Sequence, residues 1–110
     1  MTPIILIAED DADIRGLLRL YLEGEGFRVL EADDGSKALE LARTHSPDMA
    51  ILDIMMPGLN GFELTRALRQ YSQLPILILS AKNQDNDKIL GLNLGADDYI
   101  AKPFNPVEIV

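Results

Sequence analysis

The sequence predicts an α/β protein: a doubly wound, five-stranded parallel sheet in the order 2-1-3-4-5, with helices on both faces as a three-layer α/β/α sandwich. Strand-like and helix-like runs alternate along the whole chain, the pattern of parallel strands joined by helical crossovers. Three runs, 4–8, 49–52 and 76–79, are unbroken apolar stretches, as expected of strands covered on both faces. Two others, Phe27–Ala32 and Asp97–Ala101, carry polar residues and suit the sheet edges.

Each element has a local reason. The first strand, Ile4–Ala8, runs into three acids, Glu9, Asp10 and Asp11. Ile14, Leu17, Leu18, Tyr21 and Leu22 then follow the i, i+3, i+4, i+7, i+8 spacing of one inward helix face, with Asp11 or Asp13 as N-cap. Gly24 and Gly26 stop that helix. After the second strand, Asp34-Gly35 reads as a turn and Ser36 as the cap of a helix that carries Ala38, Leu39 and Ala42 and ends before Pro47. His45, the single histidine, reads as a surface residue at that helix's C-terminal end, favoured there by the helix dipole.

The third strand delivers Asp53 to its end, and Pro57, Gly58 and Gly61 break the chain before a helix resumes. Asn60 with Glu63 three residues on resembles a capping box, and Leu64, Leu68 and Tyr71 are expected inward. Pro75 admits the fourth strand, which stops at Ser80. A fourth helix is expected over 83–94, weakened by Gly91 and Gly95 by about 1 kcal/mol each relative to Ala, so it is the element readiest to shift. Its Ile89, Leu90, Leu92 and Leu94 form no single stripe, so part of its surface is expected to meet a partner. The fifth strand leads to Lys102-Pro103 and a last helix opening at Pro106.

Composition narrows the function. At 110 residues the chain makes one domain. No run is long and apolar enough for a membrane span and the start is not that of a signal peptide, so a cytoplasmic location is expected. The absence of cysteine excludes disulfides, a thiol nucleophile and Cys-containing zinc sites. With 18 acidic against 10 basic residues the net charge is −8, which argues against this domain gripping a nucleic-acid backbone itself.

The strand order reverses direction between the first and third strands. In such flavodoxin-like sheets, ligands bind at that switch point, outside the carboxyl ends of the strands. Those ends carry Glu9, Asp10, Asp11 and Asp53. Converging carboxylates resist ionising together unless a cation joins them, and a site with neither His nor Cys suits Mg²⁺. The plainer alternative is a solvated acidic loop capping the first helix, with Asp53 closing a loop. Ser80 and Lys102 reach the same rim; alone they would be a turn serine and a solvated lysine, but together they supply a hydroxyl and a cation for holding a phosphoryl group.

The segments Ile-Leu-Ile-Ala-Glu9-Asp10-Asp11, Asp53-Ile-Met-Met-Pro57-Gly58-x-x-Gly61, Leu-Ser80-Ala81-Lys82 and Gly95-Ala96-Asp97-Asp98-Tyr99-Ile100-x-Lys102-Pro103-Phe104, in this order and at these separations, resemble the receiver domains of two-component response regulators. The last segment is similar to the OmpR/PhoB branch. The resemblance implies a flavodoxin-like (CheY-like) fold and the following roles. Asp53 is the phosphoacceptor, taking a phosphoryl group from a sensor histidine kinase. Asp10, Asp53 and the backbone carbonyl of Met55 ligate Mg²⁺, and Glu9 acts through a bound water. Lys102 pairs with Asp53 and then with a phosphoryl oxygen, Ser80 hydrogen-bonds the phosphoryl group with help from the Ala81 N–H, and Tyr99 is the aromatic switch. The implied output is a changed surface on the fourth helix, fifth strand and fifth helix. That surface self-associates on activation and controls a DNA-binding domain; the domain itself is no enzyme beyond its own phosphorylation and dephosphorylation.

Other features are read against that pattern. Met55 cannot hydrogen-bond an attacking water, so slow hydrolysis of the aspartyl phosphate is expected. The Lys102–Pro103 bond is expected cis, and Lys88 and Glu108 resemble members of the branch's charged dimer face as much as ordinary surface charges. Val110 falls within the last helix, so 1–110 is expected to be a receiver domain cut short there, with its effector domain absent, some apolar surface exposed and a tendency to self-associate. Three other functions stay in view: a stand-alone receiver acting by protein docking, an Mg²⁺-dependent phosphohydrolase with an aspartyl nucleophile, and a nucleotide- or flavin-binding module. Met55 stands where the phosphohydrolase would want a second Asp, and the acidic first loop would repel a nucleotide's phosphates.

Overall fold

The computed structural model describes residues 2–54, 60–70, 72–80 and 98–101, with Ser80 and residues 98–101 described by backbone alone. In chain order these form β1 (Ile4–Ala8), α1 (Ala12–Gly24), β2 (Arg28–Ala32), α2 (Gly35–His45), β3 (Met49–Asp53), α3 (Gly61–Arg69), β4 (Ile76–Ser80) and β5 (Asp98–Ala101). The strands make one parallel sheet in the order β2-β1-β3-β4-β5, as the placing of apolar and polar runs predicts. The fourth and fifth helices expected from sequence, Tyr71, and the residues Lys88, Pro103 and Glu108 lie outside the described residues.

Alternate residues of the inner strands feed two cores. Leu6, Ala8, Ala50, Leu52, Ile76 and Ile78 pack with Ala38 and Ala42 of α2 and Leu64 and Leu68 of α3. Ile5, Ile7, Ile51, Leu77 and Leu79 face the other way, against Leu18 and Leu22 of α1. A strand sandwiched between helix layers has no wet face, which is why these runs read as unbroken apolar.

The helix termini follow sidechain–backbone chemistry. The Asp11 carboxylate accepts from the backbone N–H groups of Asp13 (2.9 Å) and Ile14 (3.3 Å) and caps α1. Gly26, at φ +93°, takes the left-handed conformation that turns the chain into β2. The capping box of α3 is complete: Asn60 Oδ1 accepts from Glu63 N–H at 2.9 Å and Glu63 Oε1 from Asn60 N–H at 3.2 Å. His45 is the exposed last residue of α2.

Two local expectations are corrected. The cap of α2 is Asp34, not Ser36: the Asp34 carboxylate accepts from Lys37 N–H at 2.7 Å, and Gly35 and Ser36 are already helical. A charged acceptor at the positive end of the helix outcompetes a hydroxyl two residues further on. The inward stripe of α1 is also narrower than predicted. Leu18 and Leu22 are buried, whereas Leu17 and Tyr21 are 42% and 40% exposed. The helix rests on the sheet along the Ile14–Leu18–Leu22 line, which leaves the residues one position earlier at its flank.

Candidate acidic metal and phosphoacceptor site

Parallel strands in register bring the acids to one edge. Ala8 of β1 lies opposite Leu52 of β3, so each strand's next residue, Glu9 and Asp53, emerges at the same level. Asp53 in turn lies opposite Leu79, the residue before Ser80, and Ser80 lies opposite Ala101, the residue before Lys102. The backbone therefore lines up the ends of four strands in the order in which the sequence-predicted site residues occur. Lys102, Met55 and Ala81 lie outside the described residues, as do the side chains of Ser80 and Tyr99.

Glu9, Asp10 and Asp53 each offer a carboxylate oxygen within 4.8 Å of one another. Glu9 and Asp53 are 0% and 2% exposed, while Asp10 faces solvent. Two unit charges about 4 Å apart repel by about 4 kcal/mol at an effective dielectric of 20, a large share of the 5–15 kcal/mol that holds a domain folded. A solvated acidic loop would let such groups spread apart. Two carboxylates held buried by strand ends cannot, and this distinguishes the cluster from the surface-loop alternative. The donor set is entirely oxygen, anionic and open on the Asp10 side, which fits a hard divalent cation that keeps part of its water shell.

The chain crosses over this site at close range. The Ile54 N–H donates to Leu79 O at 3.1 Å, and Ile54 O accepts from Gly61 N–H at 3.1 Å, so the start of α3 lies against the end of β3. A Cβ on Gly61 would lie 2.5 Å from the Asp53 carbonyl oxygen and 2.9 Å from both its carbon and the Ile54 Cα. The glycine reads in sequence as a chain breaker; its role is to permit this approach.

Sequence reading missed Arg15. Its Nη1 donates to the Glu9 carbonyl oxygen at 2.8 Å and its Nε lies 3.3 Å from Glu31 Oε1. The available signal was an arginine one turn into the helix that follows the acids. Arg19 pairs with both Glu23 and Glu31, and the hydrogen bond to Glu23, followed by that to Glu31, raises its guanidinium above the ordinary arginine value.

A parallel α/β sheet with buried acids at its switch point belongs to the class of proteins that handle a ligand at the carboxyl ends of their strands. Residues 5–110 match the sequence model of the response regulator receiver domain, and the chain belongs to that family. It is 56% identical over 110 residues to the response regulator GtcR of Aneurinibacillus migulanus, covering 100% of this chain and 46% of that protein. It is 47% identical to the alkaline phosphatase synthesis transcriptional regulatory protein PhoP of Bacillus subtilis, covering 99% of this chain and 46% of that protein. The receiver domain of Francisella response regulator 1452 superposes with a TM-score of 0.94 at 39% identity, over 98% of this chain and 90% of that one. The chain thus spans about half the length of the curated relatives it matches. Receiver domains are regulatory modules that histidine kinases phosphorylate. Among the described residues no helix is long and apolar enough to cross a membrane.

Proposed function

We propose that Asp53 is the phosphoacceptor of a Mg²⁺-dependent switch and that residues 1–110 act as the input half of a transcriptional regulator. The observation that carries this is the convergence of Glu9, Asp10 and Asp53 at the strand ends, two of them buried. In the transfer, an Asp53 carboxylate oxygen forms a bond to phosphorus as the P–N bond of the kinase's phosphohistidine breaks, and the released imidazole takes up a proton. Mg²⁺, when bound, supplies charge neutralisation for the phosphoryl oxygens. Asp10 and Asp53 would hold it with the Met55 carbonyl, and Glu9 would do so through water. Burial of Asp53 at a strand end fixes its direction of attack, which matters because phosphoryl transfer depends on in-line positioning.

Lys102 balances the carboxylate before transfer and a phosphoryl oxygen after it. Ser80 donates its hydroxyl to the new phosphoryl group, and Tyr99, on the adjacent edge strand, follows it. The resulting rearrangement of the surface around β5 favours self-association and passes to a DNA-binding domain beyond residue 110. Relatives described as transcriptional regulatory and DNA-binding proteins support that output. A cytoplasmic location follows from partnership with the kinase's phosphorylated histidine. The test is mass spectrometry after incubation with acetyl phosphate and Mg²⁺. Wild type is expected to gain one phosphoryl mass and Asp53→Asn none; a variant that still gains it would move the acceptor elsewhere.

A further inference from the structure

Arg15 joins the acidic site to the neighbouring strand. Glu9 N–H donates to Ala32 O of β2 at 3.0 Å, and Glu9 O accepts from Arg15 at 2.8 Å. Arg15 is itself held by Glu31, which stands opposite Ile7 in the β1–β2 register. Both backbone groups of Glu9 are therefore tied to β2, one directly and one through a side-chain relay. The carbonyl that Arg15 holds belongs to the peptide that begins Asp10, the solvent-facing member of the acidic group.

We infer that Arg15, held by Glu31, is a positioning residue for divalent-cation binding: by fixing the Glu9–Asp10 peptide, it sets where the Asp10 carboxylate meets those of Glu9 and Asp53. The inference rests on the reading of those three acids as the Mg²⁺ site. Two effects of opposite sign compete. A guanidinium near the site repels a cation, and an anchored ligand strand binds it better. The surrounding charges decide between them. Arg15 and Arg19 are matched by Glu31 and Glu23, two cations against two carboxylates, so the network brings no net charge to the site. The anchoring effect remains. It needs a planar fork that reaches a carbonyl with one nitrogen and a carboxylate with another, which an ammonium group cannot reproduce.

The test is calorimetric titration of Mg²⁺ into the 110-residue chain as wild type, Asp10→Asn, Arg15→Gln, Arg15→Lys and Glu31→Gln. Loss of an outer-shell partner of a metal ligand costs 10- to 100-fold in affinity, and at this remove the lower end applies: both Arg15 variants are expected to bind Mg²⁺ about 10-fold more weakly. The Lys variant keeps the charge, so its loss cannot come from altered repulsion. The Gln variant removes the charge, so repulsion alone would tighten binding. A purely structural role would lower the melting temperature of the metal-free protein and leave the dissociation constant unchanged. Unchanged or tighter binding by the folded Arg15 variants overturns the inference, and should those variants fail to fold, unchanged binding by Glu31→Gln does so. Wild type that binds no Mg²⁺ would sink the underlying site reading as well, whereas equal binding by wild type and variants, with loss in Asp10→Asn, sinks this inference alone.

Discussion

Gly61 and Gly16 are both helical glycines, and their surroundings give them opposite predicted effects. At Gly61 an added methyl meets Asp53 and Ile54 backbone atoms at 2.5–2.9 Å, and backbone cannot swing aside as a side chain can. Gly61→Ala is expected to destabilise the domain by about 2 kcal/mol, the overpacking cost less a small gain in helix propensity, and to slow phosphorylation because the end of β3 must shift. At Gly16 nothing lies within 4 Å of the added methyl, so Gly16→Ala is expected to stabilise by up to about 1 kcal/mol. Urea unfolding of the two variants beside wild type checks both signs. A Gly61→Ala protein as stable as wild type would mean that α3 can lift off Asp53 at little cost. Spacing alone could not predict this contrast: Gly61 reads only as a chain breaker before α3, and Gly16 gives no signal beyond its place among helical residues. The difference lies in what comes near each one from a distant part of the chain.

At the scale of elements, the sequence was most legible where one residue type has one use. Unbroken apolar runs gave the inner strands, polar interruptions gave the edges, and the Asn60–Glu63 pair gave a complete capping box. It was least legible where neighbouring residues compete for one role, as Asp34 and Ser36 do at the start of α2. Since Asp34 holds the Lys37 N–H, Asp34→Ala is expected to cost about 1 kcal/mol, while Ser36→Ala, at an exposed helical position, should stay within about 0.5 kcal/mol of wild type. Chemical denaturation distinguishes the two, and equal losses would show that the hydroxyl shares the cap. The exposed flank of α1 was missed for a related reason. A helix on a sheet needs only a line of contact, and periodicity reports which residues share a face without saying how wide the buried strip is.

For the molecule as a whole, the same sheet order that buries two cores sets carboxylates from β1 and β3 against one another. The acids themselves were legible as strand-end residues; their separation and burial were not, because both depend on β1–β3 register and on the close approach of Gly61. A cation that joins these carboxylates would link stability to its binding. Anything that binds only the folded state stabilises it by about 2.7 kcal/mol at 100 times its dissociation constant. For a domain of this length that corresponds to a rise in melting temperature on the order of 10 °C. Wild type is expected to melt higher in saturating Mg²⁺ than in a chelator by that order. Asp10→Asn removes one of the three clustered carboxylates, so it is expected to gain little from Mg²⁺. If wild type melts at the same temperature in both, the clustered acids are no cation site.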